Sequence, residues 1–185
     1  MKRIIYFIIL VTFYAACTDD DSFSDDSALR LAFTTDTVNL DTLFSRTPSP
    51  THTFWVHNPN EEGIRLQSVR LSRRNQTGFR VNVDGSYLDN ALGSVANDLE
   101  ILRQDSILVF VELTSPETSQ PEPKLIEDDL VFTLESGVEQ KVNLRAWAWD
   151  AQKLYDAEVT RDSLIESATP IIIYGGIKVR EGARL

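Results

Sequence analysis

Between Leu29 and Trp149 apolar residues return at every second position, in short runs separated by turn residues, and this alternation restricts the chain to β-structure. Leu29, Leu31 and Phe33 alternate with Arg30 and Ala32, and Val38, Leu40 and Thr42 alternate with Asn39 and Asp41. Phe54 and Val56 share one face of a run whose other face carries Thr53, Trp55 and His57, and Asn58-Pro59-Asn60 breaks it. Ile64 to Leu71, Phe79 to Val83, Ile107 to Leu113, Leu130 to Leu134 and Val138 to Ala148 continue the series. In the last of them Val142, Leu144, Ala146 and Ala148 point one way, while Lys141, Asn143, Arg145, Trp147 and Trp149 point the other. Tyr87 to Leu102 is the most ambiguous stretch, and none reads as a long amphipathic helix. The expectation is an all-β, two-layer antiparallel sandwich over residues 29–149, stabilised by burying its inward faces at about 25 cal/mol per Å².

Composition narrows the function classes. With 18 Lys+Arg against 28 Asp+Glu, the net charge is -10, so a polyanion such as nucleic acid is repelled. One cysteine excludes an intrachain disulfide and any multi-cysteine zinc site, so packing alone must hold the sandwich.

The N-terminus has the layout of a secretory signal: Lys2 and Arg3, then an apolar run from Ile4 to Phe13. At about 1.5 Å of rise per residue, such a run spans only about half of a bilayer core. Tyr14-Ala15-Ala16-Cys17 closes the segment and resembles a lipobox, in which the cysteine is diacylated on sulfur and becomes the mature N-terminus. Tyr14 stands where that motif usually has a branched aliphatic residue. Residues 1–16 are therefore expected to be a lipoprotein signal peptide, and residues 17–28 a lipidated cysteine with a solvated acidic tether. The run Asp19-Asp20-Asp21 behind Cys17 resembles the surface-export signal of Bacteroidetes-type lipoproteins; a plain spacer is the alternative.

Three segments carry a further resemblance: Phe54-Trp55-Val56-His57-Asn58-Pro59, Gly78-Phe79-Arg80-Val81, and Gln104-Asp105-Ser106-Ile107-Leu108-Val109-Phe110-Val111. Together they resemble the ASH-type branch of immunoglobulin-like domains. The resemblance implies an interaction or spacer module and transfers no catalytic residue.

Beyond Trp149 the alternation stops. Residues 150–169 read as a polar connector, with Leu154, Tyr155, Val159, Leu164 and Ile165 too scattered to make a core. Residues 170–185, which open with Pro170-Ile171-Ile172-Ile173-Tyr174-Gly175-Gly176-Ile177-Lys178-Val179, resemble the first rung of a right-handed parallel β-helix, expected to be truncated. An added edge strand on the sandwich is the alternative.

No catalytic constellation is legible, and no cofactor or metal is expected. His52 and His57 fall on opposite faces of one strand, and there is no phosphate loop or nucleophile elbow. Trp147 and Trp149 beside Arg145 form a candidate contact platform for a carbohydrate or protein ligand, or a surface that a neighbouring segment covers. Asp followed by Ser or Thr and an aliphatic residue resembles the O-glycosylation site of exported Bacteroidetes proteins. It places candidate sites at Ser27, Thr37, Thr42, Ser106 and Ser163, with turn chemistry as the alternative. The function expected is a non-catalytic module of the outer membrane, lipid-anchored and surface-exposed. The alternatives are an accessory domain of a polysaccharide-degrading β-helix enzyme and an adhesin.

Overall fold

The structure, a computed structural model, describes residues 22–185, so the signal segment, Cys17, Asp19, Asp20 and Asp21 lie outside the described residues. The strands, in chain order, are β1 (Ala32–Phe33), β2 (Thr37–Phe44), β3 (His52–His57), β4 (Ile64–Leu71), β5 (Phe79–Val83), β6 (Ser86–Tyr87), β7 (Val95–Ile101), β8 (Ser106–Leu113), β9 (Lys124–Leu134), β10 (Glu139–Trp149), β11 (Gln152–Val159) and β12 (Ile171–Val179).

The period-two runs fold as the alternation demands. One sheet has the order β1-β3-β8-β5-β6 and the other β2-β10-β9-β4-β7. Their inward side chains form a single core that includes Phe54, Val56, Leu66, Phe79, Val81, Val109, Val111, Leu130, Phe132, Val142, Leu144 and Ala146. Phe33 and Phe132 meet across it with tilted rings, centroids 5.2 Å apart. Every pairing within the two sheets is antiparallel except that of β2 with β10, which is parallel. Lettered in chain order with the edge strands β6 and β7 set aside, the sheets read A-B-E-D and A′-G-F-C. That is the layout of an immunoglobulin-like sandwich.

Several sequence expectations need correction. The first run yields only the two residues of β1, because the backbone of Leu31 is bound by a side chain instead of a strand: its N–H donates to Gln140 Oε1 (2.8 Å) and its carbonyl accepts from Gln140 Nε2 (3.0 Å). In β2 the alternation does not carry through to Thr42. Asp41 adopts φ 57°, braced by Asn39, and the register with β10 shifts there, so Leu43 takes up the inward position and Thr42 is exposed. The ambiguous stretch resolves into β6, a 3-10 turn at Asn90–Leu92 capped by Asp89, and β7. β9 begins at Lys124, earlier than its apolar half suggests.

The two ends of the domain are attached to opposite poles of the second sheet. At one pole Phe23 forms a bridge to Gly63, just before β4, with Gly63 N–H donating to the Ser22 carbonyl (2.7 Å) and Arg65 lying 4.3 Å over the Phe23 ring. β4 runs parallel to β10, because both pair antiparallel with β9, so the chain leaves β10 at the far pole. β9 has 11 residues, which puts about 35 Å between the poles.

The segment expected to be a connector is a strand over most of its first half. β11 pairs in parallel with β12 as a separate two-stranded sheet, and β12 joins neither sheet of the sandwich. Its pattern is illegible in the sequence because a strand with one neighbour leaves both faces largely wet; of its residues only Val159 is buried. Gln152 lies opposite Ile171 and Tyr155 opposite Tyr174, an offset of 19 residues, and the two tyrosine rings stack with centroids 4.9 Å apart. Glu158 and Arg180 pair across the far end.

Candidate functional site

Among the described residues no three His, Cys, Asp or Glu side chains are grouped to hold a metal. Nor does any described helix have the length and apolarity to cross a membrane. His57 Nδ1 lies 3.0 Å from both the Asp105 carbonyl and Ser106 Oγ, a contact within the sandwich. The buried carboxylate of Asp128 is occupied by the amides of Arg73 and Asp129 and by the Thr77 hydroxyl. Asn58, just after β3, is fully buried. Its amide donates to the carbonyls of Glu62, Ile101 and Leu102 and accepts from the N–H and side chain of Asn60.

The far pole carries a joint between the sandwich and the β11–β12 pair. Lys153 Nζ donates to the carbonyls of Ser45 (3.3 Å) and Arg46 (3.5 Å) and to Thr47 Oγ1 (2.9 Å), tying the start of β11 to the loop after β2. Asp150 accepts from the amides of Thr118 (2.9 Å) and Ser119 (2.8 Å). Burial pushes the Asp150 carboxyl up, but the neighbouring Ser45 hydroxyl and these amides outweigh it and hold the group at about 2. The Ser45 hydroxyl makes no hydrogen bond of good geometry, so the amides carry the larger part.

Trp147 and Trp149 do share the outer face of β10, but they differ in character. Trp147 is 46% exposed, opposite Leu125 on one side and Thr42 on the other. Trp149 is half-buried, with its Nε1–H donating to the Pro121 carbonyl, so the loop before β9 covers it. Of the candidate modification sites, Ser27, Thr42 and Ser163 are exposed. Thr37 and Ser106 are half-buried in strands, Ser106 against His57.

A second surface feature escapes a reading of the sequence. On the outer face of the first sheet, registered pairing sets Thr53, Phe110, Asn82 and Tyr87 in one row across β3, β8, β5 and β6. Behind that row Glu112 is held from both sides, by Thr51 Oγ1 (2.5 Å) and by Arg80 Nη2 (2.8 Å). Arg80, Asn82, Tyr87, Phe110 and Glu112 line a shallow cavity of about 330 Å³. Phe110 is 39% and Tyr87 50% exposed, and Trp55, on the same face, is 49% exposed. The signal for it is present, since Phe110 falls at the outward phase of an alternation whose inward phase is Val109 and Val111.

No protein-family model matches the sequence, and no curated protein matches it. Solved structures similar in fold include a family 123 glycoside hydrolase from Clostridium perfringens, with 7% identity, a TM-score of 0.44, and 69% of this chain and 30% of that chain covered. A protein of unknown function from Porphyromonas gingivalis has 13% identity and a TM-score of 0.45, over 72% of this chain and 59% of that one. The ASH/PapD-like domain 7 of human CEP192 has 11% identity and a TM-score of 0.39, over 74% of this chain and 93% of that one. The chain thus spans less than a third of the first and under two thirds of the second.

Proposed function

We propose that the chain is a non-catalytic, surface-exposed lipoprotein module. In this reading it is anchored through Cys17 in an outer membrane, and an ASH-type immunoglobulin-like sandwich acts as a spacer that holds the start of a parallel β-helix away from the lipid. The observation that carries the reading is the pole-to-pole attachment. The segment behind the tether docks through Phe23 at Gly63, and the chain leaves from the opposite end of β10, about 35 Å away along the strands. The joint at Asp150 and Lys153 supports it, since a spacer transmits position only if its exit is fixed. The offset between β11 and β12, 19 residues up to Tyr155 and 20 from Ala157 onward, is close to the shortest solenoid repeats of about 20 and supports the β-helix part, as does the ring-on-ring stack of Tyr155 and Tyr174.

The test is expression of the full chain in a Bacteroidetes host fed an alkyne-tagged fatty acid. The wild-type chain takes up label, partitions into the detergent phase and is cut by protease added to intact cells, while Cys17→Ser does none of these. Replacing Asp19, Asp20 and Asp21 by Asn keeps the label and abolishes the cutting. An unlabelled wild-type chain in the aqueous phase refutes the anchor, and cutting unaffected by the Asn substitutions refutes the export signal.

A further inference from the structure

We infer that the outer face of the β1-β3-β8-β5-β6 sheet carries a binding site for a neutral sugar residue, built by Arg80, Asn82, Tyr87, Phe110 and Glu112. The inference does not depend on how the chain is anchored. Three observations lead to it.

The first is the pairing of flat aromatic surface with a polar rim. Phe110 and Tyr87 stand outward on either side of Asn82 in one registered row, with Arg80 and Glu112 in the row behind. A pyranose has the matching duality, with axial C–H groups that lie against an aromatic ring and equatorial hydroxyls that need donors and acceptors at its edge. The cavity of about 330 Å³ lies at the lower end of the range of about 300–1,000 Å³ for small-molecule sites, enough for one or two rings of a longer chain.

The second is the inventory of unused hydrogen-bonding groups. Asn82 Oδ1 is taken by the Gly85 amide (2.9 Å), which fixes the side chain, while its NH₂ has no partner among the described residues. The Tyr87 hydroxyl likewise makes no hydrogen bond there, and Arg80 donates from Nη2 to Glu112 while its Nε is buried, which leaves its other terminal N–H groups for a ligand. Glu112 is immobilised by Thr51 and Arg80 and keeps lone pairs to accept from hydroxyls. A purely hydrocarbon surface laid over this row would strand these donors at about 1–3 kcal/mol each, whereas a polyhydroxy ring satisfies them.

The third is charge. Arg80 and Glu112 neutralise one another at 2.8 Å, so the site has no net charge, and the chain as a whole is at -10. Anionic ligands, uronate and sulfated sugars among them, find neither a free cation in the site nor a favourable field around it. A neutral saccharide uses both the rings and the rim and needs no charge from the site.

The experiment is a titration of the ¹⁵N-labelled chain with neutral oligosaccharides based on glucose, mannose, galactose, xylose and N-acetylglucosamine, with oligogalacturonate as the acidic comparator. At least one neutral oligosaccharide is expected to give saturable shifts at the amides of Asn82, Tyr87, Phe110 and Glu112. Phe110→Ala should weaken binding tenfold or more, and Tyr87→Phe, which removes only the hydroxyl, by about threefold to tenfold. Trp147→Ala, on the other sheet, should leave it unchanged. Phe110 and Tyr87 are outward residues, and retained dispersion of the spectrum establishes that the variants are folded. Absence of saturable shifts at those amides throughout the neutral series overturns the inference. So does tighter binding of oligogalacturonate, or binding abolished by Trp147→Ala and indifferent to Phe110→Ala.

Discussion

Asn58→Ala is expected to be among the most costly single substitutions outside the apolar core. The side chain is fully buried at the pole where β3 ends, and its two amide N–H groups are shared among three carbonyls, at 2.9 Å (Glu62), 3.2 Å (Ile101) and 3.0 Å (Leu102). Its carbonyl accepts from the Asn60 N–H at 3.1 Å and from Asn60 Nδ2 at 2.7 Å. At about 1 kcal/mol net per hydrogen bond, and with water re-entering part of the space at the chain surface, the loss comes to about 3–4 kcal/mol. With an m-value of about 2 kcal/mol per M, that moves the urea midpoint down by about 1.5–2 M at unchanged slope. Asn58→Asp separates a hydrogen-bonding cause from a packing cause, because the two side chains have nearly the same shape. At pH 7 the carboxylate turns an oxygen toward three carbonyls and should cost more than Ala. On acidification the protonated carboxyl donates again, so this variant alone regains stability as pH falls. Urea denaturation followed by far-UV circular dichroism at pH 7 and pH 4 is the assay. An Ala variant within 1 kcal/mol of wild type, or an Asp variant as stable as wild type at pH 7, refutes the reasoning.

Gly78 sits at φ +85° with the Thr114 carbonyl oxygen 2.3 Å from where a Cβ would lie, while Gly137, at φ +83°, has nothing within 4 Å. In thermal melts Gly78→Ala should therefore cost about 3 kcal/mol or more, and Gly137→Ala only the about 1 kcal/mol of a left-handed alanine; equal losses would mean that the backbone at Thr114, just past β8, yields. Asp150 is held below its ordinary 3.8 at about 2, so its contribution is complete above pH 3.8 and disappears as pH falls through about 2. Because the carboxylate is partly exposed, screening holds that contribution to about 1 kcal/mol. Asp150→Asn should lose this at pH 7 in chemical denaturation and converge with wild type near pH 2, and a constant gap down to pH 2 would assign the loss to packing.

The sandwich is legible in the sequence because its strands are wet on one face and buried on the other. Val142, Leu144, Ala146 and Ala148 read as inward from phase alone, and all four are buried. Phase reading fails where the backbone itself changes hand, at Asp41, since the alternation assumes extended residues throughout and a single bulge inverts the phase of every residue beyond it. It fails again in β11, which has too few neighbours to impress a two-sided pattern on its residues. The aromatic row of the first sheet is hidden for another reason. Phe110 and Tyr87 are far apart in sequence and become neighbours only through the pairing of β5 with both β6 and β8, which no local window records. Trp147 and Trp149 meet the opposite fate. Their two-residue spacing marks them as a pair, but Pro121, from a distant loop, takes one of them out of contention.

The parallel pairing of β2 with β10 sets the order in which the molecule can be completed. Thr37 finds Asn143 roughly a hundred residues later, so a chain emerging N-terminus first holds β2 without its partner until nearly the whole sandwich has been delivered. The sandwich is closed by its own last strand, β10, and a polypeptide built this way stays threadable through a narrow pore until that strand has emerged.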